Sequence, residues 1–305
     1  MHSLKYQLAV IKGERDMNSV ESGHAVRTAP VYEVLAADIK SLGVEAVFGL
    51  MSDDTALFVT ALDMVGITFH GGRHENAAIS MAEGYAYASG SLGIAVVGRG
   101  PATANGLHAA VYAARTGSRV LIIYGDAAFG TSSTNALGPD YKAFNALGVL
   151  TAAGLQVLRA TSAAGARTTL ADAAGLAMQG NAVALLLPTS IQLSKLEWDD
   201  ADPAPSVVVA ETRAESARPE AVQSAVDCLG RSQRPLIIAG LGAHRAGARE
   251  ALEQLADRIG AMLLTTARAR EMFRGHPYQI GIIGSFTHSV GRRFIDQADS
   301  IIVFG

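Results

Sequence analysis

Short, mostly apolar runs separated by helical stretches constrain the fold of this chain more than any other feature. Five such runs, each close to glycine or polar turn residues, are Ala46–Gly49, Ile67–His70, Gly93–Val97, Val120–Tyr124 and Ala182–Leu187. Strands that are apolar throughout are buried on both faces, as in a parallel sheet covered by helices on either side. The pattern therefore predicts the α/β class, with a doubly wound parallel sheet over residues 30–190.

A second α/β pattern follows a polar, proline-containing stretch. Residues 191–219 have the composition of a linker, and apolar runs at Pro235–Ala239 and Met262–Thr265 alternate with helical segments beyond them. The last residues, Ala298–Gly305, are half apolar and indicate a buried strand that would ordinarily continue into further structure. We therefore expect a second doubly wound parallel-sheet domain over 220–305 that is incomplete, so that the chain is a fragment or one subunit of a split protein.

The first 29 residues differ from the rest of the chain. They mix charges with apolar residues but lack the apolar core and cleavage site of a signal peptide, so we expect residues 1–29 to be a disordered extension. The net charge of −3 and the lack of a basic patch argue against a nucleic-acid partner. The apolar runs are too short to cross a bilayer, and the single Cys228 fits a reducing compartment. We expect a cytoplasmic protein with no membrane partner.

The triplet Arg73-His74-Glu75 places a carboxylate between a strand-like run and a helix, where α/β folds commonly carry their chemistry. A helix dipole alone accounts for many acids at helix starts, because it stabilises a carboxylate there by about 0.3–1 kcal/mol. However, the helix Asn76–Ala88 is apolar nearly all round, which indicates burial. A buried carboxylate requires a hydrogen-bonding partner, and a ligand could supply it.

Three stretches of the first half carry a family resemblance. Arg73–Ala78 with Ala82–Ala86 forms a strand-to-helix corner and a small-residue helix, Leu42–Gly49 passes from helix to strand, and Gly98–Asn105 is a Gly-Pro turn entering a helix. All three resemble the corresponding parts of thiamine-diphosphate enzymes, especially acetolactate synthase and its relatives. The matches follow the order of that family over most of residues 30–190.

The resemblance implies a definite role for Glu75. In these enzymes the acid after His hydrogen-bonds the aminopyrimidine ring of thiamine diphosphate and favours the tautomer that activates the cofactor. The same resemblance implies that Gly49, Met51, Pro101 and Asn105 contact the cofactor. Met51 occupies a loop that usually contains a Pro-Gly turn, so this part of the cofactor site is altered.

His74 and Lys142 are candidate substrate contacts with open alternatives. His74 either meets the substrate or hydrogen-bonds locally at the helix start. Tyr141-Lys142-Ala143 stands where the family usually has Phe-Gln-Glu, whose Gln faces the active site. Lys142 therefore either binds an anionic substrate or is a solvated loop cation.

The resemblance also implies cofactors that this chain would hold only in part. Relatives bind Mg²⁺ and the cofactor diphosphate through a third domain, for which no motif is present here, so we predict no metal ligands in this chain. Gly125-Asp126-Ala127 is only a partial metal motif and is more simply a loop after a strand. Pro235–Ala243 is similar to the start of the family's middle domain, which holds FAD or an adenine nucleotide in some members. Gly240 and Gly242 form a partial dinucleotide motif, for which a tight turn is the alternative.

Two functions from different classes follow. The first is thiamine-diphosphate-dependent decarboxylation of a 2-oxo acid with carboligation, by a lyase or transferase that is inactive as this chain alone. The second is a non-catalytic α/β protein that keeps the fold for nucleotide binding or assembly. Family geometry places the cofactor between subunits, which implies a homo-oligomer, a dimer or tetramer, or a complementary subunit.

Overall fold

A computed structural model describes residues 27–128, 140–198, 203–209 and 216–305. The chain forms two compact units, Met1–Glu211 and Thr212–Gly305, each with its own sheet. Most of the expected N-terminal extension lies outside the described residues, and the first strand among the described residues starts at Arg27, before Pro30.

Unit 1 alternates strands and helices. Its strands are β1 (Arg27–Pro30), β2 (Ala46–Gly49), β3 (Thr68–Gly71), β4 (Gly93–Val97), β5 (Val120–Asp126), β6 (Gln156–Arg159), β7 (Val183–Pro188) and β8 (Lys195–Trp198). Its helices are α1 (Val31–Ser41), α2 (Ala56–Met64), α3 (Glu75–Ser89), α4 (Pro101–Arg115), α5 (Ala146–Ala152), α6 (Ala163–Met178) and α7 (Thr189–Leu193). Six strands form a parallel sheet in the order β3-β2-β4-β5-β7-β6, which confirms the predicted class.

The sheet of unit 1 is buried on both faces. Along β5, Leu121 and Ile123 pack into the core beneath α1, α2 and α6, while Ile122 and Tyr124 face the core beneath α3, α4 and α5. Each fully buried large apolar side chain contributes about 1.5–3 kcal/mol to folding. Successive side chains of an apolar strand therefore pack alternately into two cores, one on each face of the sheet, as expected of a doubly wound sheet.

A short antiparallel ribbon joins β1 to β8, with Arg27 opposite Trp198 and Pro30 opposite Lys195. The guanidinium of Arg27 lies 4.7 Å from the centre of the Trp198 ring. This ribbon differs from both sequence-based boundaries, since β1 starts within the expected extension 1–29 and β8 lies within the expected linker 191–219. Pairing between distant segments leaves no local sequence signal, because neither strand shows a long apolar run.

Unit 2 carries a smaller parallel sheet. Its strands are β9 (Pro235–Ala239), β10 (Met262–Thr265), β11 (Gln279–Ile282) and β12 (Ser300–Phe304), in the order β11-β10-β9-β12. Its helices are α8 (Pro219–Arg231), α9 (Leu241–Arg245), α10 (Arg249–Ile259) and α11 (Ser289–Gln297), with a 3-10 turn at Ala267–Ala269. Strands β9 and β10 have the bounds that the apolar runs predict. In the partial glycine motif, Gly240 caps the short helix α9 directly after β9, and Gly242 lies within the first turn of that helix.

The carboxylate of Asp299 fixes the loop before β9. It accepts backbone hydrogen bonds from Gln233 (2.8 Å) and Arg234 (3.0 Å) and a bond from the Ser232 hydroxyl. The bond from Ser232, followed by these backbone N–H groups, lowers the pKa of Asp299 from 3.8 to about 2.

We expect Asp299→Asn to lower the thermal stability of unit 2 at neutral pH. Because the pKa of Asp299 is depressed in the folded protein, its contribution is complete above the ordinary value of 3.8 and is lost as the pH falls through about 2. The difference in Tm between wild type and variant should therefore shrink as the pH is lowered. Calorimetry across this range measures it, and a difference that does not depend on pH would contradict the assignment.

Within the part of the chain that the structure describes, every helix is too short or too polar to traverse a bilayer.

Candidate functional site

The candidate site lies at the carboxyl ends of β2, β3 and β4, where polar and glycine residues follow buried strands. Gly49 ends β2, and its carbonyl accepts a hydrogen bond from the N–H of Gly72, 2.7 Å away, just after β3. Leu50 N–H donates to the carbonyl of Val96 in β4 (3.3 Å). These bonds tie the loops of three adjacent strands together at one edge of the sheet, which is the usual position of binding sites in such folds.

Glu75 is the first residue of α3 and is only 8% exposed. Its Oε2 atom accepts a hydrogen bond from Asn105 Nδ2 at 3.1 Å, across from the neighbouring helix α4. Among the residues that the structure describes, Asn105 is the one hydrogen-bonding partner of this carboxylate, so the second oxygen keeps its acceptor capacity.

Close packing of α3 on α4 brings Glu75 and Asn105 together. Gly106 makes the packing possible, because a Cβ atom there would lie 2.6 Å from Ile79 Cδ1 of α3. A second link crosses the same helix pair, since Asn76 Oδ1 accepts a hydrogen bond from Ala109 N–H at 2.9 Å. Gly106 of α4 therefore serves the site, because its lack of a side chain allows α4 to approach α3 and present the Asn105 amide to the acid.

The turn before α4 presents Pro101 at the surface. Gly100 caps the helix with a φ of 72°, which glycine adopts readily, and Pro101 occupies the first helical turn, where its missing N–H costs nothing. Met51, on the loop after β2, is 53% exposed. Gly49 has no room for a side chain, because a Cβ atom would lie 2.3 Å from the carbonyl oxygen of Val96.

The structure gives His74 the local role of the two alternatives. It is the N-cap of α3, and its Nδ1 atom accepts a hydrogen bond from the N–H of Asn76 at 3.1 Å. The ring is on the exposed side of the corner, beside the buried acid. A contact with substrate stays a prediction.

The structure places Lys142 in an enclosed, acidic environment, and a contact with an anionic substrate stays a prediction. Its side chain is 14% exposed, so it is not a solvated loop cation, and its Nζ atom already contacts Ser52 (3.0 Å), Asp54 (3.0 Å) and Asp53. Burial lowers the pKa of Lys142, but the bonds to Asp53 and Asp54 outweigh this and raise it. The lysine is held between two carboxylates, which oppose the binding of an anionic substrate at the same ammonium group.

Asp54, Arg99 and Asp140 form a charged network that the sequence analysis missed. Arg99 makes two hydrogen bonds to Asp140, at 2.7 and 2.9 Å, and these bonds raise the pKa of Arg99. Asp140 Oδ1 also accepts the backbone N–H of Lys142 at 3.1 Å. The available signal was the acidic pair that follows Ser52, directly after a buried strand.

Two buried hydroxyl groups of unit 1, those of Thr103 and Tyr124, have no hydrogen-bond partner among the described residues. Both belong to the elements beneath the site, α4 and β5, and burial raises the pKa of the Tyr124 hydroxyl. The described residues include no group of three or more His, Cys, Asp or Glu side chains that could hold a metal ion. Asp126 instead pairs with Arg159 at 2.7 Å.

Comparison with protein families decides the identity of this arrangement. Residues 30–146 match the N-terminal thiamine pyrophosphate binding domain of thiamine pyrophosphate enzymes, and residues 222–305 match the central domain of the same enzymes. The chain belongs to this family. Glu75, Pro101 and Asn105 all lie within the first match, and the sheet of unit 2 lies within the second.

Individual relatives carry several activities in their names. The chain is 26% identical over 280 residues to a probable acetolactate synthase large subunit of Methanococcus aeolicus. This alignment covers 90% of this chain and 46% of that protein. The chain is 27% identical over 274 residues to a sulfoacetaldehyde acetyltransferase of Alcaligenes xylosoxydans xylosoxydans, covering 86% and 42%. Human 2-hydroxyacyl-CoA lyase 1 is 23% identical over 278 residues, covering 90% and 46%. The chain thus spans about half the length of the curated relatives it matches.

Proposed function

We propose that this chain supplies the aminopyrimidine-binding half of a thiamine-diphosphate-dependent enzyme of the acetolactate synthase type. The proposed reaction decarboxylates a 2-oxo acid and transfers the remaining fragment to an acceptor. The observation that carries the proposal is Glu75, a buried acid at the carboxyl edge of the sheet, with one oxygen held by Asn105 and the other open. A non-catalytic protein has no need of a desolvated carboxylate at this position.

The residues at the site fit the aminopyrimidine end of the cofactor. Glu75 can accept a hydrogen bond from a ring nitrogen, because Asn105 engages only one carboxylate oxygen. Pro101 and Met51 offer exposed apolar surface on the loops that follow β4 and β2 at the same edge of the sheet, and the missing side chain of Gly49 keeps the end of β2 against β4. When bound, thiamine diphosphate supplies a carbon nucleophile and an electron sink for decarboxylation.

In this proposal the chain's own residues position the cofactor ring and polarise it. Glu75 holds a proton-accepting oxygen at the ring, and Asn105 fixes the carboxylate so that one oxygen faces the ligand. Mg²⁺ and the diphosphate would be held by polypeptide outside these 305 residues, such as a complementary subunit. We therefore expect the chain alone to be inactive, with turnover appearing only in the complete assembly.

Titration of thiamine diphosphate with Mg²⁺ into the complete assembly, followed by a decarboxylation assay with a panel of 2-oxo acids, tests the proposal. Pyruvate is the first substrate to try, and release of CO₂ together with a carboligated product is the expected result. Visible absorbance of the same preparation reports whether a flavin is bound, which stays a prediction for unit 2. Cofactor binding without turnover of any 2-oxo acid would move the assignment towards the lyase or acetyltransferase relatives, and no binding would favour the assembly role.

We expect Asn105→Ala to weaken cofactor binding by about tenfold, because a hydrogen bond to a charged group contributes about 1.5–3 kcal/mol. The substitution leaves Glu75 without its described partner and free to turn away from the ring. Asn76→Ala is the matched control, since Asn76 joins the same two helices through Ala109 but does not contact Glu75. Calorimetric titration of both variants measures the effect, and equal affinities would contradict the role given to Asn105.

A further inference from the structure

Asp54 is a buried acid at the site with no role in the function proposed above. Its side chain is 4% exposed, and its Oδ2 atom accepts the backbone N–H of Arg99 at 2.8 Å. Its Oδ1 atom accepts hydrogen bonds from the Ser52 hydroxyl (2.7 Å) and from Lys142 Nζ (3.0 Å). One carboxylate therefore joins the segments that follow β2 and β4 to the segment that precedes α5.

The backbone around Asp54 is built to admit this carboxylate. A Cβ atom on Gly125, near the end of β5, would lie 1.9 Å from Asp54 Oδ2, and a Cβ atom on Gly98, just after β4, would lie 2.7 Å from Ser52 Cβ. A Cβ atom at Gly100 would lie 2.3 Å from the carbonyl oxygen of Lys142. Three glycines thus leave space for the acid and for the lysine that neutralises it.

The held segment leads directly to the candidate cofactor contacts. Arg99, whose N–H is bound by Asp54, is two residues before Pro101, and the first turn of α4 then brings Asn105 to Glu75. Arg99, Gly100 and Pro101 are consecutive, so a displacement of Arg99 would also move Pro101 and the start of α4. Gly100 is itself packed against the Lys142 backbone.

We propose that Asp54 is a positioning residue for the cofactor site, which holds the turn Gly98–Pro101 in place through the Arg99 amide and is itself held by Lys142. The inference rests on the proposed function. In this arrangement Lys142 pairs with Asp54 rather than with a substrate. The acidic loop after β2 fixes the turn that carries Pro101. The side chain of Arg99 is held as well, by two hydrogen bonds to Asp140.

Asp54→Asn tests this assignment, because asparagine is neutral and one of its two polar groups is a donor, so it cannot accept from Arg99, Ser52 and Lys142 together. Two readouts apply. Hydrogen exchange of the 305-residue chain without cofactor should show faster exchange at the Arg99 amide. Calorimetric titration of thiamine diphosphate with Mg²⁺ into the complete assembly should show an affinity about tenfold lower than that of the wild type.

Asp38→Asn is the matched control for the loss of a buried ion pair. Asp38 is 7% exposed and makes two hydrogen bonds to Arg167, at 2.8 and 2.9 Å, within the same unit but away from the candidate site. We expect it to lower the Tm of the chain as Asp54→Asn does, and to leave cofactor affinity and Arg99 exchange unchanged. Equal losses of affinity in both variants would reduce Asp54 to a general stabilising residue and overturn the inference.

Lys142→Met is the second variant and keeps the test decisive if Asp54→Asn does not fold. It removes the cation but leaves the bond from Arg99 to Asp54, so we expect a smaller loss of affinity, about threefold. Wild-type affinity in every variant that folds overturns the positioning role, including in Lys142→Met alone if Asp54→Asn does not fold. Failure of the wild type to bind the cofactor overturns the proposed function instead, while the exchange of the Arg99 amide still shows whether Asp54 holds the turn.

Discussion

Glu75→Gln is expected to abolish turnover of the complete assembly while leaving the chain folded. The amide keeps the size of the side chain and one acceptor oxygen, so the hydrogen bond from Asn105 can persist. It cannot act as a proton acceptor towards the cofactor ring, and such acid–base contributions amount to about 10²–10⁴-fold in rate. Steady-state assay of CO₂ release, with the Tm measured in parallel, gives the result.

Glu83→Gln is the control for this substitution. Glu83 lies on the same helix, and its carboxylate accepts a hydrogen bond from the Ser118 hydroxyl at 2.8 Å, away from the candidate site. The control should keep turnover close to that of the wild type. A Glu75→Gln enzyme that retains more than about a tenth of wild-type activity would remove the main support for the proposed function, given the size expected of acid–base catalysis.

Gly93→Ala should cause a large loss of stability in unit 1. Gly93 begins β4 beneath α3, and a Cβ atom there would lie 2.1 Å from the carbonyl oxygen of Ala82. Backbone cannot move aside as a flexible side chain can, so α3 must shift. Overpacking of this kind costs about 1–3 kcal/mol, occasionally more. The Tm should fall by several degrees, about 2–4 °C per kcal/mol for a unit of this size.

The opposite result is expected from Gly84→Ala on the same helix. Gly84 is exposed in the middle of α3, and an added Cβ atom would meet nothing within 4 Å. Alanine is favoured over glycine in a helix interior by about 0.5–1 kcal/mol, so the free energy of unfolding should rise. Thermal unfolding of both variants measures the contrast. A similar fall in Tm in both would contradict the packing explanation, because Gly84 has open space around it.

Most strands could be predicted from the sequence, including the edge strand β3 to within one residue, but the edge strands β6 and β11 could not. The runs at β2, β4, β9 and β10 gave the correct bounds, because strands buried on both faces must be apolar throughout. Strand β6 was not predicted, since it lies at the edge of the sheet and begins with the exposed Gln156. Strand β11 is likewise an edge strand, and only partly buried.

Part of the candidate site could likewise be predicted from the sequence and part could not. Glu75, Pro101 and Asn105 could be proposed as site residues because their motifs are local in the chain, and the structure brings Glu75 and Asn105 into contact. The surroundings of Lys142 could not be predicted, because Asp53 and Asp54 lie far from it in sequence and meet it only through the topology of the sheet.

The ribbon between β1 and β8 has a consequence for how unit 1 can be rearranged. It holds the two ends of the sheet-forming segment side by side, with Arg27 opposite Trp198. Chain ends that lie close together allow circular permutation, because a short connection can join them without distorting the core. New termini could then be opened in a surface loop far from Glu75, and folding of such a permutant would show that the six-stranded sheet, rather than the order of its segments, specifies the site.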